Sequence, residues 1–338
     1  MLLSYLHRIS SGENLSAADA REAMLAILEG ESSTAQIAAF LVALRMKGET
    51  PDELLGFARA LREKSARVPV CIDSQPLLDT CGTGGDGGRT FNISTIAAFV
   101  VAGAGVRVAK HGNRSLSGAC GSADLLEDFG VRILTTPEAV ACAIHEVGLG
   151  FMFAPAFHPA MKHAQPARTE LKMRTVFNLL GPLVNPAGAT RQLIGAPSIK
   201  TAELMANALA QLGSERAFVV HGSDGLDEIT TTGTTDVFEV VQNRVRRFVW
   251  KPGDFGVEPA RLSDLAGGDR AANRQIAMSI LEGVRGPRRD IVLVNAAAAL
   301  IAAGAAPEIR EAMQLAEQSL DSGAAAQKLA ALAAISGR

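Results

Sequence analysis

Through the first 68 residues apolar positions recur only at helical spacing, and strand-like runs begin after residue 77. Ser16 followed by Asp19 resembles a helix capping box with Asp in place of Glu. Thr50, Pro51 and Glu53 make a fuller one: an N-cap, a proline at the first helical position and a carboxylate three residues after the cap. Between them, residues 35–46 carry apolar side chains around much of the helix, among them Ile37, Phe40, Leu41 and Leu44. Such a helix must be buried, against its own domain or a second subunit, and a homodimer through this block is the expectation that follows. From residue 77 short apolar runs at 106–109, 150–153, 193–196, 217–220 and 291–294 alternate with helical periods at 95–104, 137–147, 202–212, 274–281 and 296–302. Parallel strands need crossover helices, so the alternation predicts an α/β domain with a mainly parallel central sheet. Residues 237–250 differ: two β-rich runs broken at Gln242-Asn243 predict a hairpin, with Arg244, Arg246 and Arg247 on a solvated edge. The alanine-rich stretch 305–338 reads as helix. The expected architecture is a small helical N-terminal domain, residues 1–68, and a larger α/β domain, residues 69–338.

Composition narrows the function classes. A length of 338 residues suits two domains or one large one at about 100–200 residues each. With 48% hydrophobic and 20% charged residues, wholesale disorder is excluded. Lys and Arg number 33 against 35 Asp and Glu, a net charge of −2, so no global basic field exists to hold nucleic acid or an acidic membrane. No apolar run reaches the roughly 20 residues of a membrane span. The start, MLLSYLHRISSGENLS, lacks the basic opening and long apolar stretch of a signal peptide. Cys71, Cys81, Cys120 and Cys142 are widely spaced, which suits reduced thiols and a cytoplasmic location better than a disulfide frame or a zinc site.

The densest glycine cluster is Asp79-Thr-Cys-Gly-Thr-Gly-Gly-Asp-Gly-Gly-Arg89, between a short strand and the helix led by Asn92-Ile-Ser-Thr95. Successive glycines let backbone N–H groups approach an anion, and the helix N-terminus adds its positive end. A plain flexible turn fits poorly with five glycines at a strand-to-helix junction. Gly82, Gly84 and Gly87 satisfy G-x-G-x-x-G, but a dinucleotide site also needs an acidic residue about 20 positions on, and no Asp or Glu follows before Asp124. A Walker loop fails too, since no Gly-Lys-Ser/Thr closes the stretch. The next strand ends in Lys110-His-Gly-Asn-Arg-Ser-Leu-Ser117. At the carboxyl end of a neighbouring strand, Lys110 and Arg114 would add positive charge and Asn113 a hydrogen-bonding amide, a second half of one anion site.

Gly82-Thr-Gly-Gly-Asp86, Phe91-Asn-Ile-Ser-Thr95 and Lys110-His-Gly-Asn-Arg114 together closely resemble the anthranilate phosphoribosyltransferases. The likeness extends in order through Gly121-Ser-Ala-Asp124, His158-Pro-Ala-Met-Lys162, Arg174-Thr-Val-Phe-Asn-Leu-Leu-Gly-Pro182, His221-Gly-Ser-Asp-Gly-Leu-Asp-Glu228 and Arg289-Asp-Ile-Val-Leu-Val-Asn295. The resemblance implies a fold of the nucleoside phosphorylase/phosphoribosyltransferase type, with the helical domain joined by helices near 165–185, and a homodimer. It implies transfer of the phosphoribosyl group of 5-phosphoribosyl 1-diphosphate (PRPP) to anthranilate in tryptophan biosynthesis, giving N-(5-phosphoribosyl)anthranilate and diphosphate. The leaving group is a polyanion and the aryl amine is already neutral, so preorganised charge should dominate over general-base catalysis, and no catalytic dyad is expected.

The same resemblance assigns Gly82, Gly85, Asp86, Thr90, Asn92, Ile93, Ser94, Thr95, Lys110, His111, Gly112, Asn113, Arg114, Ser115, Ser117 and Ser122 to PRPP. It assigns Gly82, Asn113 and Arg168 to anthranilate, Arg168 pairing with the carboxylate. Ser94, Asp227 and Glu228 would hold Mg²⁺, an ion that takes few protein oxygens and keeps waters and substrate phosphates. His158 is either a pocket residue or a structural hydrogen-bonder. The chain departs from the family pattern at Ser117-Gly-Ala-Cys120, where Ser-Ser and often Lys are usual, and at Glu170-Leu-Lys172, where Glu-Leu-Gly is common. A pyrimidine nucleoside phosphorylase would show Lys-His-Ser-Thr-Gly-Gly in the first glycine loop, where this chain has Asp79-Thr-Cys-Gly-Thr. A non-catalytic nucleic-acid-binding relative would show a basic groove and degraded Asp227-Glu228 and Arg168.

Overall fold

The computed structural model describes residues 1–70, 76–84, 89–115 and 120–337. Four helices open the chain: α1 (Leu2–Ser10), α2 (Ala17–Leu28), α3 (Thr34–Lys47) and α4 (Pro51–Glu63). Their starts follow from local chemistry. Ser16 Oγ accepts the Asp19 N–H at 3.1 Å. Thr50 and Glu53 close a full capping box behind Pro51, with Thr50 N–H donating to Glu53 Oε2 at 2.9 Å. Ser33 and Gln36 form another at α3, which the sequence analysis did not single out. Ile37, Phe40, Leu41 and Leu44 of α3 are buried, while Ala35, Ala39 and Met46 on its other side are exposed.

The remaining elements are β1 (Leu77–Gly82), α5 (Ile93–Gly103), β2 (Arg107–Gly112), α6 (Ser122–Asp128), α7 (Pro137–Val147) and β3 (Leu149–Phe153). Then come the short α8 (Ala154–Phe157), α9 (Gln165–Leu171) and α10 (Phe177–Leu180), followed by β4 (Arg191–Gly195), α11 (Ile199–Gln211) and β5 (Arg216–Gly222). The chain finishes with β6 (Thr235–Val241), β7 (Arg244–Trp250), α12 (Arg270–Leu281), α13 (Pro287–Ala303), α14 (Ile309–Asp321) and α15 (Ala324–Ser336). The seven strands lie in the order β3-β2-β1-β4-β5-β6-β7, parallel from β3 to β5 and antiparallel through the β6–β7 hairpin. Gln242 and Asn243 turn that hairpin with φ of 49° and 63°, the left-handed pair a two-residue loop requires. Its arginines are paired along the sheet, Arg246 to Glu239 at 2.6 Å and Arg247 to Asp236 at 2.7 Å.

Both faces of the sheet are covered, because successive strand side chains point to opposite sides. Leu193, Phe218 and Val237 pack with α5, α13 and the C-terminal helices. Ile194, Val219 and Phe238 pack with α11 in one cluster that also takes in α1 to α4 and Ala164, Ala167, Phe177 and Leu180. One strand expectation fails. Residues 291–294 lie inside α13, of whose seventeen residues fourteen are buried. A helix buried on all sides shows an unbroken apolar run, which periodicity alone cannot separate from a core strand. No helix among the described residues is long and apolar enough to cross a membrane.

Candidate active site

Strand order reverses between β1 and β4, and such a switch point opens a crevice at the strands' carboxyl ends. β1 ends there at Gly82 and β4 at Gly195, directly paired, and Thr83 N–H carries the ladder one residue further to Gly195 O at 3.1 Å. The loop after β5 folds back over both ends and buries Asp227 against them. A Cβ on Gly82 would sit 3.0 Å from Asp227 Oδ2, and one on Gly195 would collide with the Asp227 carbonyl oxygen. The loop is braced at two points. Asp224 Oδ2 accepts the Thr230 and Thr232 hydroxyls, each at 2.6 Å. Asn295 of α13, fully buried, holds Ile229 on both sides: its Oδ1 accepts the Ile229 N–H at 3.0 Å and its Nδ2 donates to Ile229 O at 2.9 Å. Nδ2 also donates to Ile291 O at 2.8 Å, so a polar group that burial alone would penalise is satisfied. Asp227 and Glu228 therefore stand on backbone that cannot drift.

Opposite them, α5 begins at Ile93 without a side-chain cap on its first turn. Asn92, at the N-cap position, instead donates through Nδ2 to Cys120 O at 3.1 Å, and its buried Oδ1 has no partner among the described residues. Ile93 N–H already donates to Phe91 O at 2.8 Å, and N–H groups at the start of a helix are the kind that attract an anion. Lys110 is 3% exposed; its Nζ donates to Thr80 O and reaches Ser94 Oγ at 3.4 Å. The Thr80 hydroxyl in turn donates to Ser94 O at 3.1 Å. Burial pulls the Lys110 ammonium below its usual pKa, and the carboxylates of Asp79 and Glu228 oppose that shift, so Glu228 lies within the field of this amine. Asp79, itself fully buried, accepts the His111 backbone N–H at 3.1 Å and Asn185 Nδ2 at 2.8 Å.

The stretch after Lys110 is pinned at both ends. His111 Nδ1 pairs with Gly181 O at 3.0 Å, which makes Nδ1 the protonated nitrogen, and its ring packs 5.1 Å from that of His158. Neither His158 nitrogen has a partner among the described residues, so it is not the structural hydrogen-bonder the sequence allowed. Burial, with His111 beside it, pushes His158 down to about 3, and its ring is neutral. Gly112 is required because a Cβ there would meet the Phe151 ring at 2.6 Å. Asn113 O accepts Ser122 Oγ at 3.1 Å. The Arg114 guanidinium is held by Asp124 at 2.9 Å and Glu127 at 2.6 Å, so the charge that the sequence offered to an anion is taken up by α6. Asp124 also accepts the backbone N–H groups of Ser115 and Gly121, at 3.3 and 2.9 Å. Thr90 bridges to Ala266 at the edge of the crevice, and Thr95 is buried in the first turn of α5. Gly85, Asp86 and Ser117 lie outside the described residues.

The far wall is the segment around α9 and α10. Arg168 stacks over Phe177 at 5.3 Å, and no carboxylate pairs with it among the described residues. Burial pulls its guanidinium below the ordinary value. Lys172, where the family commonly has glycine, takes φ of 47° to end α9, so that departure carries backbone strain as well as an exposed charge. Sequence reasoning assigned no role to Asp79, Asn185, Arg174 or Asn295. For Asn295 a signal existed, a lone amide in the apolar run Ile291-Val-Leu-Val-Asn-Ala-Ala. For metal binding, no group of three or more His, Cys, Asp or Glu gathers among the described residues. Asp227, Glu228 and Ser94 offer oxygen donors only, the chemistry Mg²⁺ prefers.

A helical bundle beside a doubly covered α/β sheet with a crevice at the switch point is the architecture of a glycosyl transferase family, to which this chain matches. Two family models match: the helical bundle domain of a glycosyl transferase family over residues 3–65, and its a/b domain over residues 74–326. An anthranilate phosphoribosyltransferase of Solibacter usitatus is 64% identical over 98% of both chains. The crystal structure of the Thermus thermophilus enzyme superposes with a TM-score of 0.93 at 44% identity, covering 98% of this chain and 99% of that one. That of the Saccharomyces cerevisiae enzyme in complex with PRPP and Mg gives 0.91 at 30% identity, covering 99% and 98%. The chain belongs to the anthranilate phosphoribosyltransferases, enzymes of tryptophan biosynthesis that pass the phosphoribosyl group of PRPP to anthranilate and release diphosphate.

Proposed function

We propose that this chain holds PRPP across the β1–β4 switch point and transfers its phosphoribosyl group to anthranilate by charge stabilisation and positioning, with no side chain abstracting a difficult proton. The observation that carries the reading is the buried Lys110 ammonium, joined to Ser94 at the uncapped start of α5 and within the field of Glu228. As the anomeric C–O bond breaks, negative charge grows on the departing diphosphate. Lys110, the Ser94 and Thr95 hydroxyls and the first N–H groups of α5 meet that charge, in a site too dry for water to compete. The neutral aryl amine forms the new C–N bond and loses its proton afterwards. Asn113, Ser115 and Ser122 extend the PRPP site, and Arg114 contributes by orienting this loop. Arg168 takes the anthranilate carboxylate, with Gly82 and Asn113 at its reacting end. Asp227, Glu228 and Ser94 would hold Mg²⁺, which when bound neutralises diphosphate charge.

The reading is tested by anthranilate fluorescence, which should fall when enzyme is added to anthranilate, PRPP and magnesium chloride; no fall with the wild-type chain would overturn it. Arg168→Ala should raise the KM for anthranilate by about 10–100-fold, the worth of one charge-assisted pair, and leave the KM for PRPP within about twofold. Equal effects on both substrates would remove Arg168 from the anthranilate subsite.

We further place the domain boundary at residues 68 and 69, the protein in the cytoplasm, and the dimer contact on the outer face of α3. Ala35, Ala39 and Met46 are exposed there, Met46 at 83%. Sedimentation at micromolar concentration should give twice the monomer mass of 35.3 kDa, and a stable monomer would refute the dimer.

A further inference from the structure

Arg174 belongs to the stretch 174–182 that resembles the family, and neither substrate nor metal claims it. It lies in the connection between α9, which carries Arg168, and α10, which carries Phe177. Its guanidinium reaches across the crevice to the start of the glycine loop, where Nη2 donates to Thr83 O at 2.8 Å and Nη1 to Gly84 O at 2.7 Å. Its own carbonyl accepts Arg45 Nη1 from α3. Two further features bear on its use. Arg168 and Arg174 have no ion-paired carboxylate among the described residues, so two guanidinium charges stand unpaired along one wall of the crevice. The hydroxyls of Thr83 and Thr175, 8% and 5% exposed, are buried without a partner among the described residues, polar groups left unsatisfied beside this contact.

A trans peptide directs its N–H opposite to its C=O. A guanidinium fork that holds the Thr83 carbonyl therefore turns the Gly84 N–H away from itself. Gly84, at φ of 63°, makes the turn that lets the following carbonyl meet the same fork. Resting on the functional reading above, we propose that Arg174 is a positioning residue for PRPP: it sets the orientation of the Thr83–Gly84 peptide so that the Gly84 N–H faces the diphosphate, and it adds a positive charge behind that peptide. Because the same segment carries Arg168, the aryl-acid subsite and the diphosphate loop are fastened to one support. A lysine could supply the charge, but it has no planar fork with which to hold two carbonyls.

Titration calorimetry of PRPP with magnesium chloride, without anthranilate, provides the test, together with steady-state KM for each substrate. Arg174→Ala should weaken PRPP binding by about tenfold, the scale of lost charge-assisted hydrogen bonds, and leave the KM for anthranilate within about twofold. Arg174→Lys should recover only part of the loss. Wild-type affinity for PRPP in R174A, or full rescue by lysine, overturns the positioning role, as does an equal loss of both substrates. Should R174A fail to fold, R174K carries the test, and its matching the wild type overturns the assignment. Absence of heat with the wild-type chain refutes the functional reading, and this proposal with it; wild-type binding with unchanged variants refutes the proposal alone.

Discussion

Asp227→Asn combined with Glu228→Gln is expected to lower PRPP-dependent turnover by about a hundredfold or more, since metal-assisted charge stabilisation is worth several kcal/mol and each 1.4 kcal/mol is about a factor of ten. Both replacements keep side-chain size, and the loop is still braced from outside by Asn295 and within itself by Asp224. The fold should therefore survive, with melting temperature changing by no more than a few degrees. What is lost is two negative charges at the mouth of a site otherwise lined with Lys110, Ser94 and backbone N–H groups. Turnover should be measured against magnesium concentration at saturating substrates: a lower plateau, or a requirement for far more magnesium, is the expected result. A double variant with wild-type turnover at every magnesium concentration would take both carboxylates out of the site.

Gly195→Ala is expected to be nearly as damaging, though it removes no functional group. Its Cβ would collide with the Asp227 carbonyl oxygen and lie 3.0 Å from Asp227 Cβ. Neither side can give way. Gly195 is registered against Gly82 on one side and Val220 on the other, and the 227–229 stretch is held by Asn295. Overpacking of this kind costs about 1–3 kcal/mol, which for a chain of this size lowers the melting temperature by roughly 1–2 °C per kcal/mol. Because the displaced atoms carry Asp227, activity should fall much further than stability. Gly253→Ala, whose added Cβ meets nothing within 4 Å, is the matched control and should behave as wild type. If Gly195→Ala retains full activity, the close approach of Asp227 to the strand ends is not what sets the carboxylate.

Much of this site was legible because its groups sit on short consecutive stretches with their own local signals. Glycines crowd at a strand-to-helix junction, Lys110 ends a strand, and Thr50-Pro51 with Glu53 announces a helix start whatever surrounds it. Arg114 shows what such reading leaves out. Beside the glycine loop its charge points to an anion, and the sequence does not show that its guanidinium also pairs with Asp124 and Glu127, acids ten and thirteen residues away that helix α6 brings round to it. Residues 291–294 mislead for a related reason: an apolar run states that it is buried, not in which conformation.

The order of the elements, their capping and turn chemistry, and the residue types needed to meet a polyanion are properties of local sequence, because backbone dihedral preference, hydrogen-bond capacity and charge belong to a residue and its near neighbours. Which groups meet is decided only in three dimensions. Asn295 reaches Ile229 across 66 positions and Arg174 reaches Gly84 across 90. Those contacts exist because the reversal of strand order between β1 and β4 brings distant loops to one crevice. Burial then strengthens what meets there, removing the water that would otherwise screen Lys110 and leaving Arg168 without an ion-paired acid among the described residues.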